Sequence, residues 1–311
     1  MLEQNIYLWG GFTLFILAMI ALDLGVITPE DHMAVPCTGA YFWGGRLWRC
    51  HKPEGHGYNN LAQGIANSCD VYFYQLGLRI GLDRMLARAT DIGFSRPCGV
   101  DLPQENQGTF PSERAFWNRR FGYTPQEGEV LSLAIGQGPN VQSPLKMAQF
   151  YTALARDGSA PAPAIAQGVE LGEGWSLHLA PEHLAALREG LRMVTRPGGT
   201  AHFGGTLEHW EVFGKTGTGQ NAQSIQGLAG DHAWFAAIVG PFDAPPEVVV
   251  VALVEHGESG SRVAAPIATK AADFYLRKRH GIPQDTIQTL GEWLQTRGWP
   301  DWYRKRFGGG G

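Results

Sequence analysis

The chain has 311 residues, 44% of them hydrophobic, and a net charge of −4 at pH 7. That length can bury a large core and fits one big domain or two ordinary ones. Lysine and arginine are dispersed rather than clustered, which leaves no electrostatic footprint for nucleic acid, and the 42 glycines and 19 prolines follow no collagen-like or low-complexity period.

Ile6 to Leu22 carries no charge, and Asp23 interrupts the run before Leu24-Gly25-Val26-Ile27. The stretch sits at the lower limit of about 17 residues for a membrane span. No lysine or arginine precedes Arg46, so neither a signal-peptide n-region nor a positive-inside orientation can be read. A short span and a buried core helix both fit. Residues 28–60 read as an irregular, aromatic, glycine-rich loop with a hairpin around Gly44-Gly45. From Asn60 to Leu78 the apolar spacing is helical, through Leu61, Ile65, Val71, Tyr72, Gln75 and Leu76. A second helix runs from Leu82 to Ile92 and stops near Gly93. Residues 94–128 are loop-rich.

Ser143-Pro144 starts a helix by N-cap and first-turn chemistry, ending near Asp157-Gly158. Another covers 181–195 and is stopped by Pro197-Gly198-Gly199. Three strands follow, over 212–218, 233–239 and 247–255. The four consecutive valines of the third predict burial on both faces. Phe242 to Pro246 is short enough for a hairpin, and a helix over 264–279 would cover the sheet. Helices followed by antiparallel strands predict an α+β fold with helices packed on an antiparallel sheet.

Chemistry enters with Lys215-Thr216-Gly217-Thr218 at the end of the first of those strands. A Lys-Thr-Gly in that position recurs in serine enzymes that react with penicillin. Upstream, Ser68-Cys69-Asp70 lies inside the predicted 60–78 helix and matches the Ser-x-Asn or Ser-x-Asp motif of the same enzymes. Gly99-Val100-Asp101-Leu102-Pro103, Ile135-Gly136-Gln137-Gly138, Ser143-Pro144-Leu145-Lys146-Met147-Ala148 and Gly199-Thr200-Ala201 match further segments in order. Over roughly residues 25–280 the chain resembles the penicillin-binding transpeptidases of the elongation class, penicillin-binding protein 2. The resemblance implies a penicillin-binding and serine β-lactamase-like transpeptidase fold acting in peptidoglycan synthesis, cell-wall growth and cell shape. It implies that Lys215, Thr216 and Thr218 hold the donor carboxylate and that the Thr218 N–H serves the oxyanion hole. Ser68 and Asp70 would move the proton of the leaving group, opposite Gly217.

The family acylates a serine in Ser-x-x-Lys, where the lysine shares the helix face of the serine and takes its proton. The one such pattern here, Ser143 to Lys146, comes after Ser68-Cys69-Asp70 rather than before it, and Ser143 reads as an N-cap. The family register instead places Gly11 at the serine position and Leu14 at the lysine position. The transpeptidase is therefore expected to be inactive as it stands, and because the family draws two of its five strands from upstream of the nucleophile, where this sequence has no match, the fold is expected to be truncated with fewer strands. Ala18 to Val26 resembles the first span of TerC-type membrane proteins. The expected organisation is an apolar segment over 1–27, a transpeptidase-like domain over 28–280, and an extension over 281–311 ending in a disordered glycine tail.

Cys37, Cys50, His56 and Cys69 form a permitted structural zinc set, although no Cys-x-x-Cys pair is present. Gly55 and Gly57 let the imidazole turn inward, and Cys69 would project about 100° from Ser68 around a helix. Some elongation-type relatives carry zinc in this loop, so the resemblance adds to that reading. A Cys37–Cys50 disulfide is the alternative in an oxidising compartment. The implied partners are the peptidoglycan stem peptide, β-lactams and the membrane proteins of the elongation machinery. The implied location is the cytoplasmic (inner) membrane, with the domain on its periplasmic side. Two other readings stay open: a non-catalytic module that binds a muropeptide or a partner, and a membrane protein dominated by its N-terminal span.

Overall fold

The structure, a computed structural model, describes residues 12–105, 108–219, 230–284 and 286–308. Helix α1, Phe12–Asp23, is apolar on every side, and Leu14 to Leu22 are all at most 2% exposed. A helix of that kind belongs in the centre of a core. Phe15 packs edge-on to Phe150 and stacks against Tyr151, and the Asp23–Arg88 ion pair at 2.5 Å holds the end of the helix. Within the described part of the apolar run, Phe12 to Leu22, the core helix is the reading observed. Among the described residues no helix is long and apolar enough to cross a membrane. Gly11 lies outside the described residues.

The hairpin falls where the sequence placed it, as β1 (Ala40–Trp43) and β2 (Arg46–Arg49), paired antiparallel. Gly44 and Gly45 between them both take positive φ, +58° and +76°, the conformation a two-residue hairpin turn requires. The predicted helix over 60–78 is two helices, α2 (Leu61–Ala66) and α3 (Asp70–Ile80). The break is real chain geometry: Ser68 has φ +47° and Cys69 is the extended N-cap of α3. Ser68-Cys69-Asp70 is therefore a turn between helices, not a helical segment. Helix α4 (Leu82–Ile92) ends at Gly93 in the left-handed conformation, as expected.

Two short helices, α5 (Ala115–Phe121) and α6 (Glu129–Ala134), escaped the sequence reading. Each is about two turns or less, too short to show a period. Helix α7 (Pro144–Ala155) starts as predicted, with Ser143 Oγ accepting from the Lys146 N–H at 3.1 Å. The two-residue strands β3 (Ser159–Ala160) and β4 (Trp175–Ser176) then pair, and α8 (Pro181–Val194) follows.

The main sheet is antiparallel, in the order β5 (Glu211–Gly219), β6 (His232–Gly240), β7 (Val248–Val254). These are the three predicted strands, and among the described residues no other strand joins them. Every residue of β6 is buried, so both faces of the sheet are covered. The valine run in β7 is not: all seven residues are half-buried, because among the described residues β7 is an edge strand. A π-helical turn (Gly260–Ala264) leads into α9 (Ala265–His280), which packs on β6 and β7, as does α7, while α8 packs on β5. Two more helices, α10 (Leu290–Arg297) and α11 (Asp301–Phe307), complete the described chain, with Tyr303 buried and its hydroxyl 2.9 Å from His202 Nε2. The glycines after Gly308 lie outside the described residues.

Candidate active site and metal-ligand cluster

Lys215 lies near the middle of β5, 3% exposed, and its ammonium donates to Ser68 Oγ at 2.5 Å and to the Thr216 carbonyl at 3.0 Å. The left-handed backbone at Ser68 turns its hydroxyl out of the helix path and across to the strand. Burial lowers the Lys215 pKa from 10.5 to about 8, opposed by the Asp70 charge. Thr216 Oγ1 lies 3.1 Å from Thr200 Oγ1, tying the strand to the Gly199-Thr200-Ala201 turn. Behind the strand, a Cβ at Gly260 would come within 2.7 Å of the Gly217 carbonyl and 2.5 Å of the Trp234 carbonyl. Only glycine lets the π-helical turn close against the Lys-Thr-Gly segment.

A cleft of about 520 Å³ opens between these elements. Ser68, Asp70, Thr200, Thr216, Gly217 and Thr218 line it, and so does Leu14. The cleft thus meets an apolar side chain at the position where the family register calls for the lysine of Ser-x-x-Lys. Ser143 and Lys146 take no part: Ser143 caps α7, and the buried Lys146 ammonium sits 3.8 Å above the Trp175 ring.

Asp70 opens α3 and accepts from the His51 backbone N–H at 2.8 Å, with His51 Nδ1 at 3.3 Å. Burial pushes the Asp70 carboxyl up, and the His51 hydrogen bonds only partly offset it. His51 is raised to about 9, chiefly by its hydrogen bond to Asp70. Arg49, His51, Tyr74 and Asp231 also line the cleft, and sequence reasoning missed all four. His51 follows Cys50 directly, which was the one available signal.

On the far side of the turn, Cys37, Cys50, His56 and Cys69 converge, their ligand atoms all within 4.8 Å of one another. His56 Nδ1 is 3.7 Å from Cys37 Sγ and 3.5 Å from Cys50 Sγ. A zinc tetrahedron with ordinary bond lengths has S···N edges of about 3.6 Å, so the donor set fits the ion in kind and spacing. All four cysteines are free, so no Cys37–Cys50 disulfide forms. Gly55, at φ +81°, permits the approach, since a Cβ there would meet the Cys37 carbonyl at 2.1 Å. Cys69 and Ser68 diverge because the chain turns between them, not through the 100° step of a helix.

A β5 lysine facing a turn serine across a cleft, within an α+β fold, is the arrangement of serine acyl-transfer enzymes of the penicillin-binding type. The family described as the penicillin binding protein transpeptidase domain matches residues 15–273, and the chain belongs to it. It is 30% identical over 292 residues to the peptidoglycan D,D-transpeptidase MrdA of Haemophilus influenzae, a match covering 86% of this chain and 44% of that protein. The chain thus spans less than half the length of that relative. Among solved structures it resembles penicillin-binding protein 2 of Pseudomonas aeruginosa, in complex with WCK 5153, at TM-score 0.76 and 30% identity, over 89% of this chain and 60% of that one. It also resembles the penicillin-binding protein 2 of Helicobacter pylori in its complex with MreC, at TM-score 0.75 and 29% identity, over 87% of this chain and 49% of that one.

Proposed function

We propose that this chain is the cleft-bearing domain of an elongation-type peptidoglycan D,D-transpeptidase and that, as it stands, it does not acylate. The observation that carries the reading is the pairing of an intact Lys215–Ser68 contact with Leu14 in the same cleft. The Lys215 ammonium holds the terminal carboxylate of a D-Ala-D-Ala stem peptide or the carboxylate of a β-lactam. The Thr218 N–H, at the open end of β5, serves the oxyanion. Ser68 and Asp70 shuttle the leaving-group proton. The family register puts Gly11 and Leu14 where the serine and lysine of Ser-x-x-Lys stand, so these groups bind and orient without attacking.

The Cys37, Cys50, His56 and Cys69 cluster holds a structural zinc ion. The fit of its donor types and spacings supports this. The ion cross-links the loop to the turn that presents Ser68 and Asp70 and adds its binding energy to the folding of that segment. We place the domain on the periplasmic side of the cytoplasmic membrane, with membrane proteins of the elongation machinery as partners. The complex of the Helicobacter pylori relative with MreC supports that choice.

Intact-mass analysis after incubation with a β-lactam tests the central claim. The expected result is an unchanged mass. A stoichiometric adduct that disappears in Ser68→Ala or Ser143→Ala would overturn it. The double variant Gly11→Ser with Leu14→Lys is expected to gain an adduct.

A further inference from the structure

The cleft holds one cation that the proposed chemistry leaves unused. Lys215 already donates to Ser68 Oγ and to the Thr216 carbonyl, and the His51 ring lies against Asp70. Arg49 also lines the cleft, is exposed, and among the described residues its guanidinium enters no ion pair. An exposed arginine is by default a solvated one, so what matters is how it is held.

It stands on a fixed ledge. Arg49 closes β2, and its carbonyl accepts from the Tyr74 hydroxyl at 3.0 Å, which pins the end of the hairpin to α3. Trp48, on one side of it, packs edge-on to the Tyr74 ring at 5.6 Å. On the other side, Cys50 Sγ lies 3.5 Å from His56 Nδ1, and the His51 backbone N–H donates to Asp70 Oδ2 at 2.8 Å. Four consecutive residues are thus anchored, and the backbone that carries Arg49 keeps its place beside the cleft. A charge on a preorganised backbone loses less freedom on binding than one on a free loop.

Lys215 and Arg49 come from different elements, β5 and the hairpin, with the Ser68-Cys69-Asp70 turn between them. Ser68 touches the lysine, and Asp70 touches the ledge through His51. One carboxylate seated on Lys215 therefore leaves Arg49 unfilled. A cleft of about 520 Å³ is of the size that encloses a whole drug-sized ligand, so it has room for more of a donor peptide than its last two residues.

We infer that Arg49 takes a second free carboxylate of the stem peptide, inward of the terminal D-Ala-D-Ala, and so makes the cleft select stems that carry one. The inference rests on the stem-peptide reading of the cleft given above. A planar guanidinium grips a carboxylate through two parallel N–H donors, a fit that a carboxamide at the same place does not match. Because both carboxylates belong to one peptide, the second binds at the effective concentration of an intramolecular contact. Arg49 is exposed, so the gain falls as salt is added. Two groups have this chemistry: a side-chain carboxylate on the residue before D-Ala-D-Ala, and the free α-carboxylate of a γ-linked glutamate one residue further in. The first lies nearer the end held by Lys215 and is the one expected.

Titration of the full chain, followed by NMR chemical shifts, with three pentapeptides ending in D-Ala-D-Ala tests this. One peptide carries both inner carboxylates, one is amidated at the third residue, and one is amidated at the second. The first is expected to bind about tenfold tighter than the third-residue amide, or about 1.4 kcal/mol, and as tightly as the second-residue amide. Arg49→Gln is expected to bring the first peptide down to the level of the third-residue amide and to leave that amide unchanged, with the circular dichroism spectrum intact. Arg49→Lys, which keeps the charge and loses the fork, is expected to retain part of the preference. Lys215→Gln is expected to weaken all three peptides together. A loss confined to the second-residue amide supports the same subsite with the other carboxylate as its ligand. Equal binding of the three peptides overturns the inference and leaves the proposed function standing, as does a preference that survives in Arg49→Gln. Failure of every peptide to bind overturns both.

Discussion

Lys215 Nζ lies 2.5 Å from Ser68 Oγ, a contact between residues 147 positions apart in the chain. It closes the cleft side of β5 against the turn between α2 and α3. It also buries a cation against a hydroxyl and a backbone carbonyl rather than a carboxylate.

That burial has a pH signature. Unfolded, Lys215 titrates near 10.5; folded, it titrates near 8. Below pH 8 both states are protonated, and the folded state carries the full cost of a buried cation. Between pH 8 and 10.5 the unfolded chain holds more protons, so stability rises with pH. Denaturant unfolding of the parent and of Lys215→Met should therefore show the parent gaining up to roughly 3 kcal/mol on the variant across that window. A difference that stays flat with pH would refute the depressed lysine.

Zinc should be present at one ion per chain by elemental analysis of protein purified without chelator. Cys69→Ser and His56→Ala should lose it. Chelation should lower the thermal midpoint and expose the 37–57 loop to protease before the main sheet, because metal-binding energy is folding energy for the segment that the ligands tie down. Metal-free protein that melts and digests as the untreated protein does would count against the site.

Gly260→Ala should cost about 2–3 kcal/mol or more, since its Cβ would press on the Trp234 and Gly217 carbonyls at 2.5 and 2.7 Å, and neither backbone can yield. Cleft ligands should weaken in the same variant, because the displaced backbone is that of the Lys-Thr-Gly segment. Equal ligand binding in the parent and in folded Gly260→Ala would separate the π-helical turn from the site.

Asp273→Ala should destabilise the fold by about 3–5 kcal/mol. Asp273 accepts from Trp210 Nε1 at 2.6 Å and from Arg277 Nε at 2.9 Å, all inside the packing of α9 on the sheet. The variant leaves a buried guanidinium without its carboxylate. Urea unfolding checks the magnitude, and a loss under about 1 kcal/mol would place this network in solvent.

Much of this protein could be read locally. The Ser143 cap, the Gly93 and Gly44-Gly45 turns, the three strands of the main sheet and the grouping of Cys37, Cys50, His56 and Cys69 each rest on residue chemistry or short-range period, which sequence carries directly. The Lys-Thr-Gly and Ser-x-Asp motifs declared the family for the same reason. What tertiary structure decided depends on non-local neighbours. The apolar run ending at Leu22 is a core helix because α3, α4, α6 and α8 surround it, and no pattern within the run could say so. Ser68 leaves the helical path because its hydroxyl has a partner on β5, and apolar spacing alone ran straight through the break. Four valines predicted a strand buried on both faces, yet among the described residues β7 is an edge and half-buried, since burial depends on how many strands the sheet recruits and not on the composition of one. His51 reached the cleft through the hairpin and its bond to Asp70, a contact that exists only once the loop is folded onto α3.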